Sequence, residues 1–382
     1  MYDFDSLPSR RGTASSKWMV KDDILPMWVA DMDFPAAPEI VKAMQERLDH
    51  GVFGYDEITD EWYDAYIKWW DERHGFKMNK EGLIFCTGVI PAISSAVRKL
   101  TTPGEKVLIQ TPVYNIFFNS IINNGCTALE SPLVFDGGGY SMDMQQLEKD
   151  LSDPQVSLML LCNPQNPGGR IWSREELAEV GRLAKKHSVI VLSDEIHCDI
   201  TRPGKSYVPF LSASEECREV GICAIAPTKA FNIAGIHTAA VYSENKVLHH
   251  KMWRALNTDE AAEPNTFACV AAAAAFNNGG KWLEEMCAYV FENRRIAEEF
   301  IAEHIPRIKA VNSDATYLCW LKMPKAGLWR SIRDEAGLFL SDGKIYGKGG
   351  EEFLRLNLGC SRATLMEGLR RLAKFFDADS VK

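Results

Sequence analysis

The chain has 382 residues, 46% of them hydrophobic and 25% charged, enough for two or three domains or one large domain with a smaller partner. A net charge of -9, a pI of about 5.5 and the lack of any lysine or arginine run argue against binding to nucleic acid or to an anionic membrane. No stretch of about 18 apolar residues reads as a membrane span, and the opening Met1-Tyr-Asp-Phe-Asp-Ser6 lacks the apolar core of a secretory signal.

Residues 1–45 read as an irregular arm followed by a short helix starting near Ala37. From 46 to 280, helical stretches such as 91–101 and 174–187 alternate with short apolar runs: Lys106–Gln110, Leu158–Cys162, Val189–Ser193, Ile222–Ile225 and Ala239–Tyr242. Runs of this kind separated by helices predict a mostly parallel sheet covered on both faces, an α/β architecture. Residues 281–305 predict one long helix. After it come a strand near 316–322, a helix at 326–336, a strand at 353–358 and a helix at 362–376, an α+β unit. The expected division is a large domain over 46–280 and a small one built from 1–45 and 281–382. The ten cysteines, Cys86 to Cys360, form neither a CxxC pair nor a metal-ligand spacing with histidine. They read as small buried hydrophobes of a chain kept in a reducing cytoplasm, and no metal is expected.

Three predicted strands end in polar residues: Cys162-Asn-Pro, Ser193-Asp-Glu and Ala226-Pro-Thr-Lys229. In open α/β sheets the carboxyl ends of the strands form the ligand crevice, so these groups are expected to meet. Lys229 read alone is a surface lysine. Its apolar neighbours favour a buried amine of lowered pKa, the form that condenses with a carbonyl. Asp194 is either a cap for the following turn or a buried anion that keeps a heterocyclic nitrogen protonated. His197 shares a face with Asp194 if the segment makes a helical turn. Asn163-Pro-Gln-Asn-Pro-Gly168 is a tight turn after a strand, and Asn166 has an amide to offer a phenolate oxygen. Cys86-Thr-Gly-Val-Ile-Pro91 precedes a helix whose free N–H groups suit a phosphate, although read alone a plain turn explains it better. Tyr114 either stacks on an aromatic ligand or packs in the core.

Together, Trp28-Val-Ala-Asp-Met-Asp-Phe-Pro35, Gly54-Tyr55, the Asn163 turn, Ser193–His197, Lys229-Ala-Phe-Asn-Ile-Ala-Gly235 and Phe353–Cys360 resemble fold-type I enzymes dependent on pyridoxal 5′-phosphate (PLP). Within aminotransferase class I/II, the resemblance is to the cystathionine β-lyase-like, MalY- and PatB-like, carbon–sulfur lyases, and it spans nearly the whole chain. It implies β-elimination from L-cystathionine or another L-cysteine S-conjugate, giving pyruvate, ammonia and a thiol. The alternatives are an aminotransferase on the same scaffold and a regulatory protein working through surface contacts.

By resemblance, Lys229 carries PLP as a Schiff base and moves the Cα proton. Asp194 pairs with the pyridine nitrogen, Asn166 and His197 lie beside the phenolic oxygen, and Tyr114 covers the ring. Gly88, Val89, Ile90 and Thr228 hold the phosphate, helped by Tyr55 of a neighbouring copy in a homodimer. Arg355 grips the substrate carboxylate, with Asn166 and Ala30 beside the substrate. Two departures concern the phosphate. Ala226 stands where many relatives have a hydroxyl, and His237 where aminotransferases of this fold have arginine. His197 in place of tyrosine favours lyase over aminotransferase.

Overall fold

The computed structural model describes residues 2–379. Its centre is a seven-stranded sheet in the order Leu83–Cys86, Ala239–Tyr242, Gly221–Ile225, Ile190–Asp194, Val156–Cys162, Lys106–Ile109 and Thr127–Glu130. All neighbours run parallel except Ala239–Tyr242, which is antiparallel to both of its partners. The expected mostly parallel sheet is therefore present, with two further strands, Leu83–Cys86 and Thr127–Glu130. The first is a run of only four residues. The second lies at the sheet edge and is half exposed, so neither its length nor its apolar content marks it out.

Successive side chains of a strand point to opposite faces. Accordingly Leu158, Leu160 and Cys162 enter one apolar cluster while Met159 and Leu161 enter another. The first cluster lies beneath helices Val89–Leu100, Ile116–Asn123 and Lys246–Thr258. The second lies beneath Asp60–His74, Arg174–Lys186 and Ala268–Asn278. Burial on both faces explains why these strands read as continuous apolar runs. Helix Arg174–Lys186 starts at a capping box, in which Ser173 and Glu176 each satisfy the other's backbone N–H.

A second, antiparallel sheet joins Lys309–Ala310, Leu318–Lys322, Phe353–Asn357 and Ser341–Asp342. Helix Gly280–His304 leads into it and helix Arg362–Asp379 packs on that helix. The helix expected from 326 begins at Trp329, because Gly327 sits at φ +80°, outside the helical region. The strand expected from 316 begins at Leu318, after Thr316 at φ +69°. The N-terminal arm joins this part of the molecule. Leu25–Pro26 pairs in parallel with Leu338–Phe339, and the main chain after it crosses to the carboxyl edge of the large sheet. All ten cysteines are free and buried. Among the described residues no helix is long and apolar enough to cross a membrane.

Candidate active site

Strand register brings the polar strand ends together. Asp194 is the last residue of its strand and pairs with Cys162 on one side and Ala224 on the other. The turn after it is pinned by two buried acids. Glu195 accepts from Ser193 Oγ at 2.9 Å, Phe210 N at 2.8 Å and Tyr207 Oη at 2.9 Å. Asp199 accepts from Trp69 Nε1 at 3.0 Å and His74 Nε2 at 2.9 Å, with Arg73 Nε at 3.2 Å. Burial works to raise the Asp199 pKa, but these donors outweigh it and the carboxyl sits below its ordinary value. Between the two anchors the chain makes consecutive tight turns, Cys198 N to Glu195 O and Ile200 N to His197 O, rather than a helix. His197 is thereby held at the sheet edge.

The Asn163 turn is built around Gln165. Its Nε2 donates to Pro112 O at 2.6 Å and its Oε1 accepts from Gly168 N at 2.6 Å. Asn166 Oδ1 accepts from Arg355 Nη1 at 3.1 Å, which leaves Nδ2 as the amide's donor. The lysine loop is tied to the arm by Asn232, in the left-handed conformation that asparagine tolerates. Asn232 Nδ2 donates to the carbonyls of Met32 and Phe34 at 2.9 and 2.7 Å, and its Oδ1 accepts from Met32 N at 3.0 Å.

These elements enclose a cavity of about 240 Å³. It is lined by Ala30, Gly88, Val89, Ile90, Tyr114, Asn166, Asp194, His197, Thr228 and Lys229, all singled out in the sequence. Arg355 does not border it. It lies buried behind Asn166, with Nη2 on Trp28 O at 3.1 Å and its guanidinium over the Tyr346 ring at 5.0 Å. Tyr55 is outside the cavity and fully exposed. Thr87, Ile196 and Thr238 also line the cavity without having been singled out, and so does His237, known only as a departure. Thr87 stands beside Gly88 in the quoted motif, and that adjacency is the one signal that pointed to it. Thr238 follows Lys229 by a loop with no polar pattern.

The electrostatics follow from burial. Desolvation brings the Lys229 amine down to about 8; Asp31 and Asp194 pull the other way, and Arg355 adds to the drop. Lys229 Nζ donates to Ala30 O at 2.7 Å. Asp194 is pushed up to about 7 by burial, with Glu195 adding to it, while its hydrogen bond from Ile196 N and the charge of Lys229 hold it down. Burial and the charges of Lys229 and Arg355 bring His197 down to about 3, so the ring is neutral at physiological pH. Burial pushes Tyr114 up to about 12.

Several groups in this cavity ask for a partner. Asp194 is a buried carboxylate whose one hydrogen bond among the described residues comes from a backbone amide, a fit for a cationic ring nitrogen. Gly88 gives helix Val89–Leu100 no side-chain cap, so its first N–H groups suit a phosphate. His197 Nδ1 and Thr238 Oγ1 are buried without a hydrogen-bond partner among the described residues. The donor set thus fits PLP, with Lys229 as the amine for its aldehyde and Tyr114 as an aromatic neighbour for its ring.

A buried amine of lowered pKa and a buried anion at the carboxyl edge of a doubly covered α/β sheet fit one class, the fold-type I PLP enzymes. The chain belongs to the aminotransferase class I and II family, whose model matches residues 22–372. It is 42% identical over 380 residues to the cystathionine β-lyase PatB of Bacillus subtilis (strain 168), covering 97% of this chain and 98% of the relative. Among solved structures, a PLP-bound protein of Clostridium difficile 630 superposes with a TM-score of 0.95 at 36% identity, covering 98% of this chain and 100% of that one. Cystalysin of Treponema denticola, which contains PLP, superposes with a TM-score of 0.93 at 32% identity, covering 99% of both chains.

Proposed function

We propose that this chain is a PLP-dependent carbon–sulfur β-lyase that eliminates a thiol from L-cystathionine or a related L-cysteine S-conjugate. The observation that carries the reading is one cavity holding a lysine amine lowered to about 8 together with a buried carboxylate that, among the described residues, has no hydrogen-bonded cationic side chain. Similarity to a cystathionine β-lyase over nearly the full chain supports the choice of reaction.

The bound cofactor supplies an electron sink for the pair left at Cα when its proton is removed. The chain's own residues do the rest. Asp194 holds the proton on the ring nitrogen, which keeps that sink effective. Asn166 Nδ2 and the neutral His197 serve the phenolic oxygen. The amides of Gly88, Val89 and Ile90 and the Thr228 hydroxyl bind the phosphate. The resemblance gives the substrate carboxylate, beside the Ala30 carbonyl, to Arg355, which lies behind Asn166 and on Trp28 O rather than on the cavity wall and is reached past Asn166. Lys229 takes the Cα proton, a general-base contribution of about 10²–10⁴-fold. The Cβ–S bond then breaks with its electrons on sulfur, and the released aminoacrylate hydrolyses to pyruvate and ammonia. Tyr55 completes the phosphate site of a neighbouring copy in a homodimer; its full exposure, next to exposed Val52 and Phe53, supports this.

The test is purified enzyme, PLP and cystathionine. Pyruvate and free thiol should accumulate in equal amounts with no keto acid acceptor added, and Lys229→Ala should abolish both. Turnover that requires a keto acid acceptor, or no pyruvate from any cysteine conjugate, overturns the reading.

A further inference from the structure

The carbonyl of Ala30 receives two hydrogen bonds, from Lys229 Nζ at 2.7 Å and from Tyr317 Oη at 2.9 Å. Tyr317 is fully buried, and its ring stands edge-on to His197 with centroids 6.0 Å apart. The peptide units around this carbonyl are tied down, since Asn357 Nδ2 donates to the neighbouring carbonyls on both sides, Val29 O and Asp31 O, at 2.6 Å each. Arg355 and Ser341 Oγ hold Trp28 O one residue earlier, at 3.1 and 2.8 Å.

We propose that Tyr317 is a positioning residue that sets the charge state of Lys229 by sharing the Ala30 carbonyl with it. The oxygen has two lone pairs and accepts both bonds, but each donor draws electron density from it, so either bond is weaker than it would be alone. An ammonium needs that oxygen more than a neutral amine does, because charge-assisted hydrogen bonds are the stronger ones. The tyrosine hydroxyl therefore favours the uncharged amine, the form that attacks a carbonyl and accepts the Cα proton. Burial raises the pKa of Tyr317, so it stays a donor throughout the working range. When the lysine turns to the cofactor, Tyr317 keeps the carbonyl satisfied and in place for its return. The other charged and titratable groups around Lys229 are Asp31 on the arm, Asp194 at the strand end, His197 in the turn and Arg355 in the small sheet, with Tyr114, Cys162 and His237 on the same cavity wall. All seven stay unchanged in the test below.

The inference rests on Lys229 being the reactive lysine, but its test does not depend on lyase turnover. The full-length chain, freed of PLP, is methylated with formaldehyde and cyanoborohydride across a pH series. Mass spectrometry of the Lys229 peptide then gives the pH midpoint of its reactivity. Tyr317→Phe should raise that midpoint by about half a pH unit. Site-specific 3-fluorotyrosine at 317, a stronger donor, should lower it. Ser341→Ala, which removes one bond from the same arm, should leave it unchanged. If Y317F fails to fold, the sign of the fluorotyrosine shift decides. The proposal is overturned if either change at 317 leaves the midpoint in place, if both move it the same way, or if S341A moves it as far.

Discussion

A carboxylate that ends a buried strand weakens the fold unless a cation meets it. Asp194 is in that position, with its folded pKa near 7 against an ordinary 3.8. Because the folded value is raised, the penalty is absent below the unfolded pKa. It grows as pH rises and is complete once pH passes the folded pKa. Asp194→Asn should therefore stabilise the cofactor-free protein above pH 7, by an amount on the order of 4 kcal/mol. The gain should fade as pH drops from 7 toward 3.8. Denaturant midpoints taken across that range check it, and a gain independent of pH would mean that the charge is not the cause. The same substitution should weaken PLP binding, because the asparagine cannot hold the ring nitrogen's proton.

At the scale of elements, the site depends on an arm with little regular structure of its own. Asn357, on the strand Phe353–Asn357, donates to Val29 O and Asp31 O and accepts from Gly359 N. Asn357→Ala leaves these three backbone groups without a partner and should cost about 2–4 kcal/mol in urea unfolding. It should also raise KM for cystathionine several-fold through the loosened arm, while a KM equal to wild type would detach the arm from substrate binding. Positions such as Lys229, Asp194 and Asn166 were legible in the sequence because each follows or closes an apolar run, and strand register alone carries them to one edge. The Ala30 carbonyl and Tyr317 were not. Their bond spans 287 residues and uses a main-chain oxygen, which every residue type possesses. The start of the helix at Trp329 was missed for a local reason, the left-handed Gly327.

For the whole molecule, the bond between Arg355 and Asn166 links the small sheet to the turn at the edge of the large one, so it ties the proposed substrate anchor to the proposed cofactor anchor. If Tyr55 serves a neighbouring copy, two inactive variants should rescue each other. A Tyr55→Ala chain supplies a sound Lys229 and a Lys229→Ala chain supplies a sound Tyr55. Refolding an equal mixture should give about a quarter of wild-type activity, since half of the dimers are mixed and each has one intact site. Activity no higher than that of the separate variants would assign Tyr55 to its own chain or to no site. The burial of all ten cysteines has a consequence for an enzyme whose product is itself a nucleophilic sulfur compound. Exchange between sulfurs needs an accessible thiolate, and burial raises the pKa of Cys86, Cys162, Cys198 and Cys360 alike. Even Cys162, which borders the cavity, keeps its S–H on Pro164 O. The catalyst should thereby be chemically deaf to what it releases: oxidised product should form no mixed disulfide with Cys86, Cys162, Cys198 or Cys360, and an alkylating reagent should reach these four only once the chain unfolds.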